Sequence, residues 1–288
     1  MIQGKKMVKK LFSYIKDFTS GLGKIQIQTY SAASAYYLFV SLVPLLMLLT
    51  ALLRYTPITD EFLMSFIVEY FPEPMAEIIS GIINSIYVGS GIALVVSIVL
   101  ALFLFSAVFK SILRGLDAVY EADRKDTNLM FSLRAALYFI LLLFSAVLLL
   151  VFIVYWGRIT ALVTPYLPQE LLESKAVKLL GKLKLPFTFF FLFCAFTFFY
   201  KWAPASRGRY VHQFAGAFVS AAGWTVLSLI FSVYLLISPS WGAYGFFGAV
   251  IISLLWLFNC LKVFFFGGYI NNFLMKRRIL KLEEEEDV

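Results

Sequence analysis

Acid–base or metal chemistry in this chain would have to come from Asp117, Glu121, Asp123 and Asp126, with His212, the single histidine, to move protons. Asp117 and Glu121 stand four apart on one helical face, and such a pair can hold a divalent ion beside a phosphodiester. Arg114, Arg124 and Lys125 interleave with these acids, and opposite charges at such spacings pair with one another instead. One histidine leaves little for a general acid and base. Surface ion pairing is the better reading, so no catalytic residue, no metal site and no cofactor is expected. A ribonuclease is the reading furthest from the residues. Cys194 and Cys260 fall inside apolar runs and are expected to form neither a disulfide framework nor a metal ladder.

A second chemistry is passage. The stretch YLFVSLVPLLMLL, Tyr37 to Leu49, places Pro44 in a run of near-pure hydrocarbon. Proline has no amide hydrogen, so the carbonyl of Val40 loses its helical partner. In lipid an unsatisfied carbonyl costs several kcal/mol unless protein or water meets it. Ser41, Ser34 and Tyr37 bring polar groups within about two helical turns. A packed static kink and a hinge or cavity-lining break both satisfy these facts. Asn259 and Lys262 add a polar pair near the end of the last apolar run, where the lysine either reaches outward along its stem or joins Asn259 in an interior site. The candidate substrate pathway is therefore Ser34, Tyr37, Val40, Ser41, Pro44, Asn259 and Lys262.

The elements that would position these groups are membrane helices. Of 288 residues, 61% are hydrophobic and 15% charged, and the mean hydropathy is +0.86. Soluble domains run nearer 45–50% apolar and about 25% charged. The spacing predicts an all-α polytopic membrane protein forming one domain over 1–288. Its six transmembrane helices lie at about 31–53, 91–109, 135–157, 185–202, 214–237 and 243–266, each near the length that crosses about 30 Å of hydrocarbon. With the N-terminus inside, most of the 25 Lys and Arg fall on one side, so both termini are expected to be cytoplasmic. KAVKLLGKLK, Lys175 to Lys184, resists that rule by placing lysines on the outer side. The net charge of +8 fits contact with a bilayer of anionic head groups, and no nucleic-acid partner is expected. Met1 to Gly23 lacks the apolar run of a cleavable signal. The sequence sets no oligomeric state.

Around the spans, residues 5–22 read as an interfacial amphipathic helix, with Val8, Leu11, Phe12, Ile15 and Phe18 on its apolar face. Two amphipathic extracytoplasmic helices are expected on either side of PEP at 72–74. Residues 283–288 read as a solvated acidic tail. Small residues should let helices approach closely at Gly216, Ser220 and Gly223 in the fifth span and at Gly242, Gly245 and Gly248 in the sixth. The phenylalanines from Phe187 to Phe199 are expected to face lipid and pack the bundle.

Three blocks, YSAASAYYLFVSLVPLL, YKWAPASRGRYVHQFAGAF and YGFFGAVIISLLWLFNCLKVFFFGGYINN, resemble the YihY/BrkB family of bacterial membrane proteins, once labelled ribonuclease BN. Ser41, Pro44, Tyr200, Pro204, His212, Gly216, Trp224, Tyr234, Gly245, Trp256, Gly267 and Asn271 carry the resemblance. It implies a six-span protein of the bacterial inner membrane with transport or envelope roles. Tyr269 stands where the resemblance implies a glutamate after the final glycine pair, which leaves no carboxylate there for proton coupling. Movement of an amphiphilic or lipid-linked substrate, its anionic part met by Arg54, Arg158 or Lys201, is the expected function. A non-transport membrane scaffold or envelope-integrity factor is the alternative.

Overall fold

The computed structural model describes residues 2–53, 80–81, 91–138, 140–141, 144, 184–206, 208–237 and 241–286. Every regular element among them is helical: α1 (Ile2–Lys24), α2 (Ile27–Leu53), α3 (Gly91–Tyr120), α4 (Lys184–Trp202), a 3-10 turn (Tyr210–Gln213), α5 (Phe214–Ile237) and α6 (Trp241–Glu286), with a further helical stretch at 128–138. Two stretches, Tyr210–Tyr234 and Val250–Ile279, are long and apolar enough to cross a membrane, and Pro186–Trp202 is a shorter apolar helix. The extracytoplasmic helices expected around 72–74, most of the third span, Arg54 and Arg158 lie outside the described residues.

α6 is the hub. It packs against α2, α3 and α5, while α2 lies along α3 and α4 lies along α5. Small residues explain the closeness of these contacts. Gly115 on α3 leaves room for the ring of Phe265, and a side-chain carbon at Gly268 would press on Leu116 and Val119. Ser34 on α2 donates to the Ser111 hydroxyl on α3 at 2.9 Å, so two buried polar groups satisfy each other across the interface. Phe196 on α4 stacks on Trp224 of α5, with ring centroids 5.1 Å apart, while Phe190 and Phe198 on the same helix are exposed. The aromatic run thus has one face for the bundle and one for the surroundings.

α1 divides its apolar face. Phe12 and Ile15 are exposed, whereas Phe18 packs its ring against Phe266, Tyr269 and Phe273 of α6. Tyr14 joins Phe273, and Arg277 pairs with Asp17. Phe18 thus serves α6, while Phe12 and Ile15 are left uncovered by the described residues. Val8 and Leu11 lie outside the residues whose side chains are described. The acidic tail is helical through Glu286, because α6 continues without a break from the apolar segment into it.

α3 ends with a Schellman turn. The Ala122 amide donates to the Asp117 carbonyl at 2.8 Å and the Glu121 amide to the Ala118 carbonyl at 3.3 Å. That closure requires a left-handed residue, and Glu121 adopts it with φ of 49°. The turn folds the next residues back on the helix that precedes them.

Candidate functional site

Helix ends carry backbone groups without intrahelical partners, and burying several ends together requires another element to supply them. α6 does so through consecutive asparagines. Asn271 Oδ1 accepts from the Gly216 amide in the first turn of α5 at 2.6 Å, and its Nδ2 donates to the Gln213 carbonyl at 3.1 Å. Asn272 Nδ2 donates to the Val119 carbonyl at the end of α3, at 2.9 Å. Tyr120 OH donates to Gln213 Oε1 at 2.6 Å. Burial pushes the Tyr120 hydroxyl well above the usual phenol range, outweighing the hydrogen bond from Asn271, so it remains a neutral donor.

One turn earlier on α6, Gly267 faces Gly216 and Ser220. A side-chain carbon on either glycine would collide with backbone, that of Gly216 with the Gly267 carbonyl and that of Gly267 with the Gly216 carbonyl and the Ser220 hydroxyl. Tyr200, fully buried on α4, reaches into this contact. Its hydroxyl lies 2.7 Å from Ser220 Oγ and donates to the Phe264 carbonyl at 2.5 Å. Three helices, α4, α5 and α6, are therefore pinned at one point.

A second polar cluster adjoins it. The Arg124 guanidinium grips Asp117 with Nε to Oδ2 at 2.5 Å and Nη2 to Oδ1 at 2.9 Å. Nη2 also donates to the Ala203 carbonyl at 2.6 Å, and the Ala205 amide donates to Asp117 Oδ1 at 2.8 Å. Asp126 bridges Arg124 to Arg134. Burial disfavours the Arg124 charge, yet its bonds and attraction to Asp117 and Asp126 prevail and hold the cation more firmly than in water. This cluster ties the segment after α3 to the segment after α4. Of the candidate acids, Asp117 and Asp126 are thus engaged by arginine and Glu121 pairs with Lys276, and no group of three or more metal-binding side chains occurs among the described residues.

The candidate pathway residues are spread over two helices. Pro44 is buried inside α2, and Val40 is half-buried one turn before it. Ser41 Oγ donates to the Leu38 carbonyl at 2.7 Å, and the Tyr37 ring meets Tyr36 edge-on at 5.5 Å. Asn259 Nδ2 donates to the Leu255 carbonyl of its own helix at 2.7 Å. Lys262 is exposed and lines a cleft of about 680 Å³ between the α1–α2 elbow and α6. Thr19, Gln26, Gln28 and Thr29 share its polar lining, and Leu22, Val263 and Phe266 its apolar lining. Lys201 has other company, with Nζ donating to the Gly208 carbonyl at 2.5 Å beside the rings of Trp202 and Tyr210. Among the packing residues, Gly223 faces Val263, Gly248 is half-buried, and Gly242 and Gly245 lie outside the residues whose surroundings are described.

Comparison with known proteins decides the family. Residues 18–287 match the family described as Virulence factor BrkB. The chain belongs to the BrkB/YihY family. A ribonuclease-like protein of Bacillus subtilis (strain 168), YfkH, is 24% identical over 275 residues, which cover 95% of this chain and 98% of that protein. A UPF0761 membrane protein of Chromohalobacter salexigens is 31% identical over 143 residues, 44% of this chain and 34% of that protein. No solved structure matches. Two helical stretches among the described residues are long and apolar enough to cross a bilayer, and this member of the BrkB/YihY family is a membrane protein.

Several residues that carried the BrkB resemblance meet in one place: Gly267 touches Tyr200 and Gly216, Gly216 touches Asn271, and Pro204 is buried four residues after Tyr200. Gln213 and Tyr120 were not singled out by sequence spacing, and Asp117 and Arg124 were singled out only as charges that pair, without the fork's partners at Ala203 and Ala205. Tyr269 turns its hydroxyl to the Phe18 carbonyl of α1 at 2.6 Å, a neutral tie at the position where a glutamate was expected.

Proposed function

We propose that this BrkB-family protein is a six-span transporter-like protein of the bacterial inner membrane, both termini cytoplasmic, which moves an amphiphilic or lipid-linked substrate along the Pro-broken α2. The observation that carries this reading is the buried Pro44 inside α2, a helix whose opening residues form one wall of the cleft beside Lys262. Proline withholds the amide that the Val40 carbonyl needs, which leaves α2 weakest between the cleft and its far end. The Tyr200–Gly267 contact on the other side of α6 supplies a fixed frame against which α2 can bend.

A second reading, a non-transport scaffold for envelope integrity, is favoured by one observation: the hydroxyls of Ser34 and Ser41 both go to protein. Reconstituted vesicles separate the two. Transport predicts protein-dependent flipping of a fluorescent phospholipid, slowed roughly tenfold by Pro44→Ala, as about 1.4 kcal/mol in the barrier would do. Flipping absent from well-folded protein, or indifferent to Pro44→Ala, supports the scaffold.

A further inference from the structure

The cleft at the α1–α2 elbow combines two properties. Lys262 contributes a cation within the apolar stretch of α6, and Gln26, Gln28 and Thr29 supply amide and hydroxyl groups around it, the Thr19 hydroxyl being spent on the Ile15 carbonyl. None of the described residues lining the cleft is acidic. Leu22, Val263 and Phe266 line the cleft on its apolar side. An ammonium group accepts a phosphate as a point charge, while neutral amides and hydroxyls can donate to its remaining oxygens without competing for the lysine. The volume of about 680 Å³ is in the range of small-molecule sites and exceeds what one inorganic anion fills.

From this lining we infer that the elbow cleft is a binding site for a phosphate-bearing anion, with Lys262 as its charge partner and the apolar wall as the seat of an attached hydrocarbon chain. The same phosphate chemistry could arrive on a lipid head or on a free phosphate, and the apolar wall favours the lipid. The site can be occupied without any transport. If the transport reading holds, it is where a moved amphiphile rests its head.

The test is equilibrium binding to the whole purified chain in a zwitterionic detergent, with three probes: a short-chain phosphatidic acid, a phosphatidylcholine of the same chain length, and inorganic phosphate. Phosphatidic acid is expected to saturate the protein and to bind roughly fivefold more weakly to Lys262→Ala, the contribution of one lysine near a membrane surface. Lys262→Arg should restore binding. Lys24→Ala, which removes an exposed lysine outside the lining, should leave it unchanged. Inorganic phosphate binding as tightly, with the same dependence on Lys262, would keep the anion site and assign its source to free phosphate. Equal affinity of wild type and Lys262→Ala, an equal loss in Lys24→Ala, or phosphatidylcholine binding as well as phosphatidic acid would overturn the inference. Because the readout is occupancy, its failure leaves the flipping experiment to be judged by itself.

Discussion

The two sides of α6 use polar groups in opposite ways. Toward α4 and α5, Asn271, Ser220 and Tyr200 spend their hydrogen bonds on protein partners at 2.5–3.1 Å, and Gly216 and Gly267 bring the backbones together. Toward the α1–α2 elbow, Lys262 and its polar neighbours border open space. A buried polar group with a fixed partner specifies one arrangement, whereas a polar group facing a cleft keeps capacity for a ligand. The difference separates frame from site, although both are built on the same helix within a few turns.

Substitutions on the two sides should therefore differ in kind. Gly267→Ala is the most damaging, because the new methyl meets backbone that cannot step aside. A loss of more than about 3 kcal/mol is expected, read as failure to recover folded protein in detergent. Recovery at wild-type yield would show that α5 and α6 can separate and that the frame is not rigid. Arg124→Ala follows, at about 3 kcal/mol, since it strands Asp117 and the Ala203 carbonyl in a nearly buried place. Thermal unfolding should report it, and Arg124→Lys should recover only part, having one charge but no fork. Glu121→Gly runs the other way: glycine adopts positive φ freely, so a gain of about 0.5–1 kcal/mol is expected. The exposed pair with Lys276 that it removes is worth little. Lys262→Ala should change stability least, within about 0.5 kcal/mol, while weakening anion binding. A large drop in Tm for that variant would place Lys262 with the frame.

Composition alone reveals the helical membrane class, because no soluble core accommodates so much hydrocarbon. The stripe at Gly216, Ser220 and Gly223 is readable as a contact surface, but a stripe does not state its partner. The structure sets it against Val263 and Gly267, deeper along α6 than Gly242, Gly245 and Gly248. Asp117 and Arg124 were readable as charges that pair, yet their fork depends on the left-handed turn at Glu121, which bends the chain back and is disfavoured for glutamate. The asparagine caps could not be read at all. A helix end shows no sequence mark of which distant side chain will close it, and Asn271 lies 55 positions from Gly216. Lys262 was visible as a lysine in an apolar run, but the cleft beside it exists only because α1 and α2 meet at an angle near Ile25 and Gln26.

The tie from Tyr269 to Phe18 joins positions 251 apart in the chain. Such a bond orders biogenesis, since α1 leaves the ribosome well before the α6 surface on which it docks. Until α6 has been synthesised and inserted, α1 must wait at the bilayer with its Phe18 side unburied. A nascent chain halted before residue 269 should therefore leave α1 open to proteases that the finished protein resists.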